Sequence, residues 1–148
     1  MSKANKNILL FSAVITIASW LYVIFNYNAL PEKIVGHFNF NGKATRYDAK
    51  YTIWFLQGIF TLLQYGMYWL AQQKLPYNRN LKSKTAEKTI ALFTIPYVAL
   101  VLLFLNILIV KKSIDSSFNS SWFMPFFIGL TILFFVSFFT FIYKNLKT

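Results

Sequence analysis

Four apolar segments of about twenty residues each constrain this chain more than any other feature. They cover residues 8–27, 51–72, 89–110 and 122–143. At a rise of about 1.5 Å per residue, each would form a helix of about 30 Å, which is long enough to cross the hydrocarbon layer of a bilayer. The connections are too short for a second folded domain. We therefore predict that residues 1–148 form a single all-α integral membrane domain with four transmembrane helices.

The composition and the distribution of charge agree with this prediction. Of the 148 residues, 57% are hydrophobic and 13% are charged, whereas about a quarter are charged in soluble domains. With the N-terminus inside, nine Lys and Arg residues lie on the inner side and six on the outer side. The positive-inside rule then favours both termini in the cytoplasm. The most basic connection, residues 73–88, is expected to contact anionic lipid headgroups, and nothing in it is suited to reading bases.

A polar segment, residues 28–50, separates the first two apolar segments and holds the only His and two of the four acids of the chain. Asn41-Gly42 is a strong signal for a hairpin with a type I′ turn, and the residues on either side alternate as in strands. We predict an extracytoplasmic β-hairpin-like loop in which His37 pairs with Arg46 and Val35 with Asp48.

This register would place four polar side chains on one face of the hairpin: His37, Asn39, Arg46 and Asp48. Phe38 and Phe40 would point the other way. His37 and Asp48 are the acid–imidazole pair that the segment offers. They could form a structural hydrogen bond, bind a ligand, or transfer a proton or hold a metal. Because a metal site usually needs three or four ligands, we expect no metal, no cofactor and no enzymatic activity.

The second apolar segment carries a polar stripe, because Gln57, Thr61, Gln64 and Tyr68 recur on one helical face. Polar side chains are costly in hydrocarbon, so this face is expected to point into the bundle. It could either form hydrogen bonds between helices or line a polar cavity, and Asn106 could join either arrangement. No segment carries a charged residue near its centre, which argues against a proton-coupled transporter or an ion pump.

The polar segment resembles a known sequence signature. Leu30-Pro31-x-x-Ile34-x-x-His37-Phe38-Asn39-x-x-Gly42, followed by Asp48 and Lys50, is similar to LPxxIPxHFNxxGxxDxxxxK, although Val35 stands where that signature has Pro. The signature marks a bacterial membrane module found in SdpI-type immunity proteins, which protect cells against a secreted toxic peptide. The resemblance implies a bacterial cytoplasmic membrane location and functional positions at Pro31, His37, Asn39, Gly42, Asp48 and Lys50.

These observations lead to an expected function of binding rather than catalysis. We expect an immunity or sensing protein that binds an extracellular membrane-active peptide toxin or bacteriocin. The hairpin, including Arg46, and the polar stripe with Gln57 and Gln64 would form the binding surface. The alternative is an accessory or scaffold subunit of a transporter or envelope enzyme, and an envelope enzyme using His37 and Asp48 is less favoured. The expected partners are the bilayer, a secreted peptide toxin, and a membrane-protein partner or a second copy of the chain, but not nucleic acid.

Overall fold

The structure is a computed structural model that describes residues 3–72 and 83–146. Each apolar segment forms a helix, and a two-stranded sheet connects the first two. The elements in chain order are α1 (Lys3–Asn26), a 3-10 turn (Tyr27–Ala29), β1 (Lys33–Phe38), β2 (Ala44–Ala49), α2 (Thr52–Gln72), α3 (Lys84–Ile114) and α4 (Phe123–Asn145). The predicted helices and hairpin are confirmed, whereas most of the basic connection expected to contact lipid, residues 73–82, lies outside the described residues.

Among the described residues, three helical stretches are long and apolar enough to cross a membrane. They are Lys3–Ala29, Lys88–Ile114 and Phe123–Asn145. Helix α2, with 21 residues, is not among them, because Gln57 and Gln64 lower its mean hydropathy. The three stretches together indicate a multi-pass membrane protein.

Helix α3 is the centre of the bundle, since both α1 and α2 pack along it and α4 packs against it as well. Its residues Ala99, Leu102 and Leu108 have no exposed surface. Contacts between α3 and α4 are largely aromatic, with the rings of Tyr97 and Phe134 stacked at 4.3 Å between centroids. The hairpin end of the bundle is closed by an apolar cluster, to which β1 also contributes.

The two strands pair antiparallel, but their register differs in part from the predicted one. His37 pairs with Arg46 as predicted, whereas Asp48 pairs with Ile34 rather than with Val35. The reason is a bulge, since Gly36 is an extra residue between Val35 and His37 that has no counterpart on β2. Next to the bulge, the backbone N–H of Val35 donates to Ser113 Oγ on α3 at 2.9 Å, so β1 is also attached to α3.

The turn of the hairpin also differs from the predicted type I′ turn. The N–H of Gly42 donates to the carbonyl of Asn39, and the N–H of Asn39 donates to the carbonyl of Lys43, both at 2.9 Å. Among the described residues, positive φ occurs only at Gly42, at 74°, whereas a type I′ turn needs it at Asn41 too. The type I′ prediction is therefore wrong, and the loop contains three residues. Asn39 Oδ1 favours this loop because it accepts from the N–H groups of Asn41 and Lys43.

Candidate functional site

An apolar groove runs beneath the hairpin, between β1, α2, α3 and α4. It consists of two adjoining cavities of about 330 Å³ and 220 Å³ that share Gly36, Leu56 and Ile109 as lining residues. The larger cavity is further lined by Leu105 and Phe123, and the smaller one by isoleucines of β1 and α2. We call this feature the hairpin groove. Its walls come from these four elements and from Asp48 of β2, so it exists only in the folded bundle.

His37 lies at the rim of the larger cavity. Its ring Nδ1 is 2.6 Å from Thr45 Oγ1, and the same hydroxyl donates to the His37 carbonyl at 3.3 Å. The Thr45 hydroxyl therefore engages Nδ1 of the ring, and the imidazole tautomer sets which of the two atoms is the donor. The interpretation of His37 and Asp48 as a hydrogen-bonded pair is therefore wrong, since Thr45 occupies the position next to the imidazole.

Asp48 lies at the wall of the smaller cavity and makes an ion pair with Arg46, with Nη2 and Oδ2 2.9 Å apart. The two side chains are 65% and 30% exposed, so the pair contributes little to stability. The carboxylate fills the space over Gly36, where a Cβ would lie only 1.9 Å from Oδ2. Because Gly36 lines both cavities, the two cavities form one groove, with His37 at the larger cavity and Asp48 at the smaller one.

The remaining predicted positions in the hairpin hold its shape. Asn39 and Gly42 form the turn, as described above. The Lys50 ammonium lies 4.6 Å from the centroid of the Tyr27 ring, and its backbone N–H donates to the carbonyl of Glu32 at 2.9 Å. Pro31 is exposed just before β1. These contacts support a structural role for Asn39, Gly42 and Lys50.

The hairpin tip is fixed to the connection between α3 and α4. Ser120 Oγ donates to the carbonyl of Gly42 at 2.6 Å, and both residues are buried. A Cβ at Gly42 would lie 2.3 Å from the Ser120 carbonyl oxygen, so this approach requires glycine. The groove beneath the hairpin therefore has a roof that is anchored at both ends.

Gln57 and Gln64 lie in a polar seam between the helices. The amide of Gln57 donates to the carbonyl of Ser19 at 3.1 Å, and Gln64 Oε1 accepts from Thr16 Oγ1 at 2.7 Å. Asn106 on α3 donates to Ser19 Oγ at 2.7 Å. Of the two predicted arrangements, these contacts support hydrogen bonding between helices. The glutamines do not line the hairpin groove, so the structure does not join them with the hairpin into one surface.

Two further features of the seam emerge from the structure. Its partners on α1 are Thr16 and Ser19, which lie three residues apart on one helical face. Three fully or largely buried amide atoms have no hydrogen-bond partner within the described part of the chain, namely Gln57 Oε1, Gln64 Nε2 and Asn106 Oδ1. Tyr68, expected on the same face, is exposed instead.

These features define a helical multi-pass membrane protein with a hairpin that covers a groove at one end of the bundle. A family model described as a domain of unknown function, DUF1648, matches residues 14–61. The matched residues run from within α1 through the hairpin into α2, about a third of the chain. Neither the curated proteins nor the solved structures gave a match. Within residues 3–72 and 83–146, no three His, Asp or Glu side chains cluster to hold a metal.

Proposed function

We propose that this chain is a membrane immunity or sensing protein that binds a membrane-active peptide, such as a toxin or bacteriocin, in the hairpin groove. In this proposal α2 is a fourth transmembrane helix, both termini are cytoplasmic, and the hairpin faces the outside of a bacterial cytoplasmic membrane. The observation that carries the proposal is the position of His37 and Asp48. Both belong to the segment that resembles the immunity-protein signature, and both lie at the rim of one apolar groove.

The groove suits apolar side chains of a peptide. Leu56, Leu105 and Ile109 line it between the hairpin and the helices, and each is only partly buried. A peptide that arrives from water gains about 1.5–3 kcal/mol for each large apolar side chain that it buries. Two such side chains would support binding, and the bilayer would bring further parts of the peptide to the open side of the groove.

The hairpin adds groups that favour a peptide over a lipid chain. Strand β2 pairs with β1 on one side only, since the sheet of the described residues has two strands. Its Arg46 and Tyr47 are exposed, and the backbone groups of a free edge can pair with an extended peptide. His37 and the ion pair of Arg46 with Asp48 add both donors and acceptors at the rim. A peptide held in this way could no longer insert or oligomerise elsewhere.

Deletion and complementation test the proposal, with survival scored against peptides secreted by the same strain. His37→Ala and Asp48→Ala should impair protection while membrane levels of the protein stay near those of the wild type. Leu56→Trp should fill the groove and also impair protection. Leu133→Trp is the matched control, because Leu133 lies exposed on α4 and outside the groove. Full protection by all three variants would overturn the proposal.

A photo-crosslinking residue at Leu105 separates the proposal from the scaffold alternative. With a peptide as the occupant, the crosslink should appear only after the peptide is added and should increase the mass by that of the peptide. A crosslink to a large membrane protein in cells that make no such peptide would favour an accessory subunit of a transporter or envelope enzyme.

A further inference from the structure

We propose that a second cavity, independent of the hairpin groove, binds a phosphate group, and that the phosphate comes from the headgroup of an anionic phospholipid. The cavity has a volume of about 390 Å³ and lies between the hairpin tip and the connection from α3 to α4. Asn41, Lys43 and Tyr47 line it from the hairpin, and Lys112 and Asn119 line it from the other side. We call it the tip cavity.

Both walls of the tip cavity are held in place before any ligand binds. The ammonium of Lys112 donates to the carbonyls of Ser116 and Phe118 at 2.6 and 2.7 Å, which fixes the connection after α3. Asn119 Oδ1 accepts from the N–H and the hydroxyl of Ser121 at 3.0 and 2.7 Å. The hydrogen bond between Ser120 and Gly42 joins the two walls. A preformed site loses little conformational freedom on binding.

The polar groups of the tip cavity that a ligand can use are mainly hydrogen-bond donors. Lys112 uses two of its three N–H groups on carbonyls, which leaves one for a ligand, and Lys43 adds a second ammonium. Because Asn119 uses its oxygen to accept from Ser121, its NH₂ group is the end that a ligand can use. Among the described residues that line the cavity there is no acid. A phosphate, with several acceptor oxygens and negative charge, matches this set of donors.

Asp115 follows Lys112 by three residues, and its carboxylate accepts hydrogen bonds within its own turn. Its Oδ1 accepts from the hydroxyl and the N–H of Ser117 at 2.5 and 2.8 Å, and these two bonds hold the pKa of Asp115 below its usual range. Asp115 does not line the tip cavity. The charge of Lys112 also lowers the pKa of Asp115, so part of that lysine's charge is balanced, whereas Lys43 on the opposite wall supplies a second positive charge.

Size and position favour a lipid headgroup as the source of the phosphate. The cavity volume equals the share of about thirteen waters in liquid water, which is more than a lone anion needs. Phe40 at the hairpin tip and Trp122 at the start of α4 are both exposed, as expected for aromatic residues at the membrane–water interface. A headgroup in that layer reaches the cavity by lateral diffusion, and anionic lipid attracts the lysines.

Native mass spectrometry of the full-length protein in detergent micelles tests the proposal with three added ligands: phosphatidylglycerol, phosphatidylcholine and inorganic phosphate. We expect one saturable phosphatidylglycerol per chain, bound more tightly than phosphatidylcholine. Asn119→Asp keeps an oxygen for Ser121 and replaces the donor with a negative charge, so it should weaken phosphatidylglycerol binding about tenfold or more. Lys43→Glu should do the same.

Lys33→Glu is the control, because Lys33 is an exposed lysine of β1 that does not line the cavity. It changes the net charge as Lys43→Glu does and should leave the binding unchanged. Equal weakening by both Lys→Glu changes would overturn the site, because general charge attraction would then explain the binding. Displacement of the lipid by inorganic phosphate at equal concentration would overturn the assignment to a lipid headgroup. These outcomes do not depend on any peptide, so they are distinct from a failure of the proposed function.

Discussion

Replacement of Gly42 tests how the hairpin tip is attached to the rest of the bundle. Gly42 has a φ of 74°, and a Cβ there would lie 2.3 Å from the carbonyl oxygen of Ser120. The clashing atom is backbone, so it cannot move aside as the end of a flexible side chain could. Gly42→Ala should therefore release the tip from Ser120.

Two free-energy costs set the expected loss of stability in Gly42→Ala. A left-handed conformation costs a residue with a Cβ about 1–2 kcal/mol. Separation of the walls also leaves the buried carbonyl of Gly42 without the hydroxyl of Ser120, and an unsatisfied buried acceptor costs about 1–3 kcal/mol. Together they predict a loss of about 2–5 kcal/mol in the stability of the docked tip. If the tip separates from Ser120, the loss is smaller, because the carbonyl of Gly42 then forms hydrogen bonds with water.

Two measurements report this loss. Hydrogen exchange in bilayer nanodiscs should show faster exchange at the N–H groups of Asn39 and Gly42, which donate within the turn. Denaturant unfolding in mixed micelles should show a lower free energy of unfolding. Gly42→Asn separates the two costs, because Asn tolerates positive φ but still carries a Cβ. It should remain destabilised by the contact with Ser120.

Gly129→Ala is the control, since a Cβ at Gly129 in α4 meets no heavy atom within 4 Å. It should leave stability unchanged or raise it by up to about 1 kcal/mol, because Ala is the better helix former. If Gly42→Ala behaves like Gly129→Ala, or if Gly42→Asn restores the stability of the wild type, the reasoning about the docked tip is refuted.

Three other predictions follow from the charge pattern, the α3–α4 connection and the polar seam. Single cysteines at Thr45 and Ser117 should label from outside intact cells and one at Ser83 should not; labelling at Ser83 alone would reverse the proposed orientation. Ser117→Ala should raise the pKa of Asp115 toward its usual value in an NMR titration, because the side-chain hydrogen bond of Ser117 is the largest cause of the lowered pKa. Because folding lowers the pKa of Asp115, its carboxylate stabilises the fold at a pH above the pKa of the unfolded chain, and this stabilisation is lost as the pH falls through the pKa of the folded chain. An unchanged pKa in Ser117→Ala would contradict the observed hydrogen bond. Gln64→Leu should reduce the free energy of unfolding by only about 0.6 kcal/mol, the average for hydrogen bonds between membrane helices. A loss above about 2 kcal/mol would show that Gln64 stabilises the bundle by more than its hydrogen bond to Thr16 explains.

The helices could be predicted from the sequence because apolar runs of this length leave the backbone few alternatives in a membrane. The start of α3 was predicted five residues late, at residue 89 rather than Lys84. A readable signal was present, since Ser83 Oγ accepts from the N–H of Ala86 at 3.1 Å and so caps the helix. Local signals therefore contain most of the information about the helices.

The hairpin could be predicted only in part, because its details depend on distant residues. The predicted pairing of His37 with Arg46 rests on a two-residue turn, whereas the structure reaches the same pair with a three-residue loop and irregularities on both sides of His37. The sequence does not indicate Thr45 as the partner of His37, because a hydroxyl and a carboxylate can both bond an imidazole and the register decides between them. The hairpin groove was not predictable, since no local pattern indicates which faces of separate elements will meet.

The attachment of the hairpin also sets an order of events during synthesis. The two hydrogen bonds that fix it, from Val35 to Ser113 and from Ser120 to Gly42, each join residues 78 positions apart. At about 5–20 residues per second, Val35 and Gly42 each leave the ribosome about 4–16 s before their partners. An isolated two-stranded hairpin is marginal in water. The strands therefore reach their final arrangement only after α3 has been inserted, because Ser113 and Ser120 come after most of that helix in the chain.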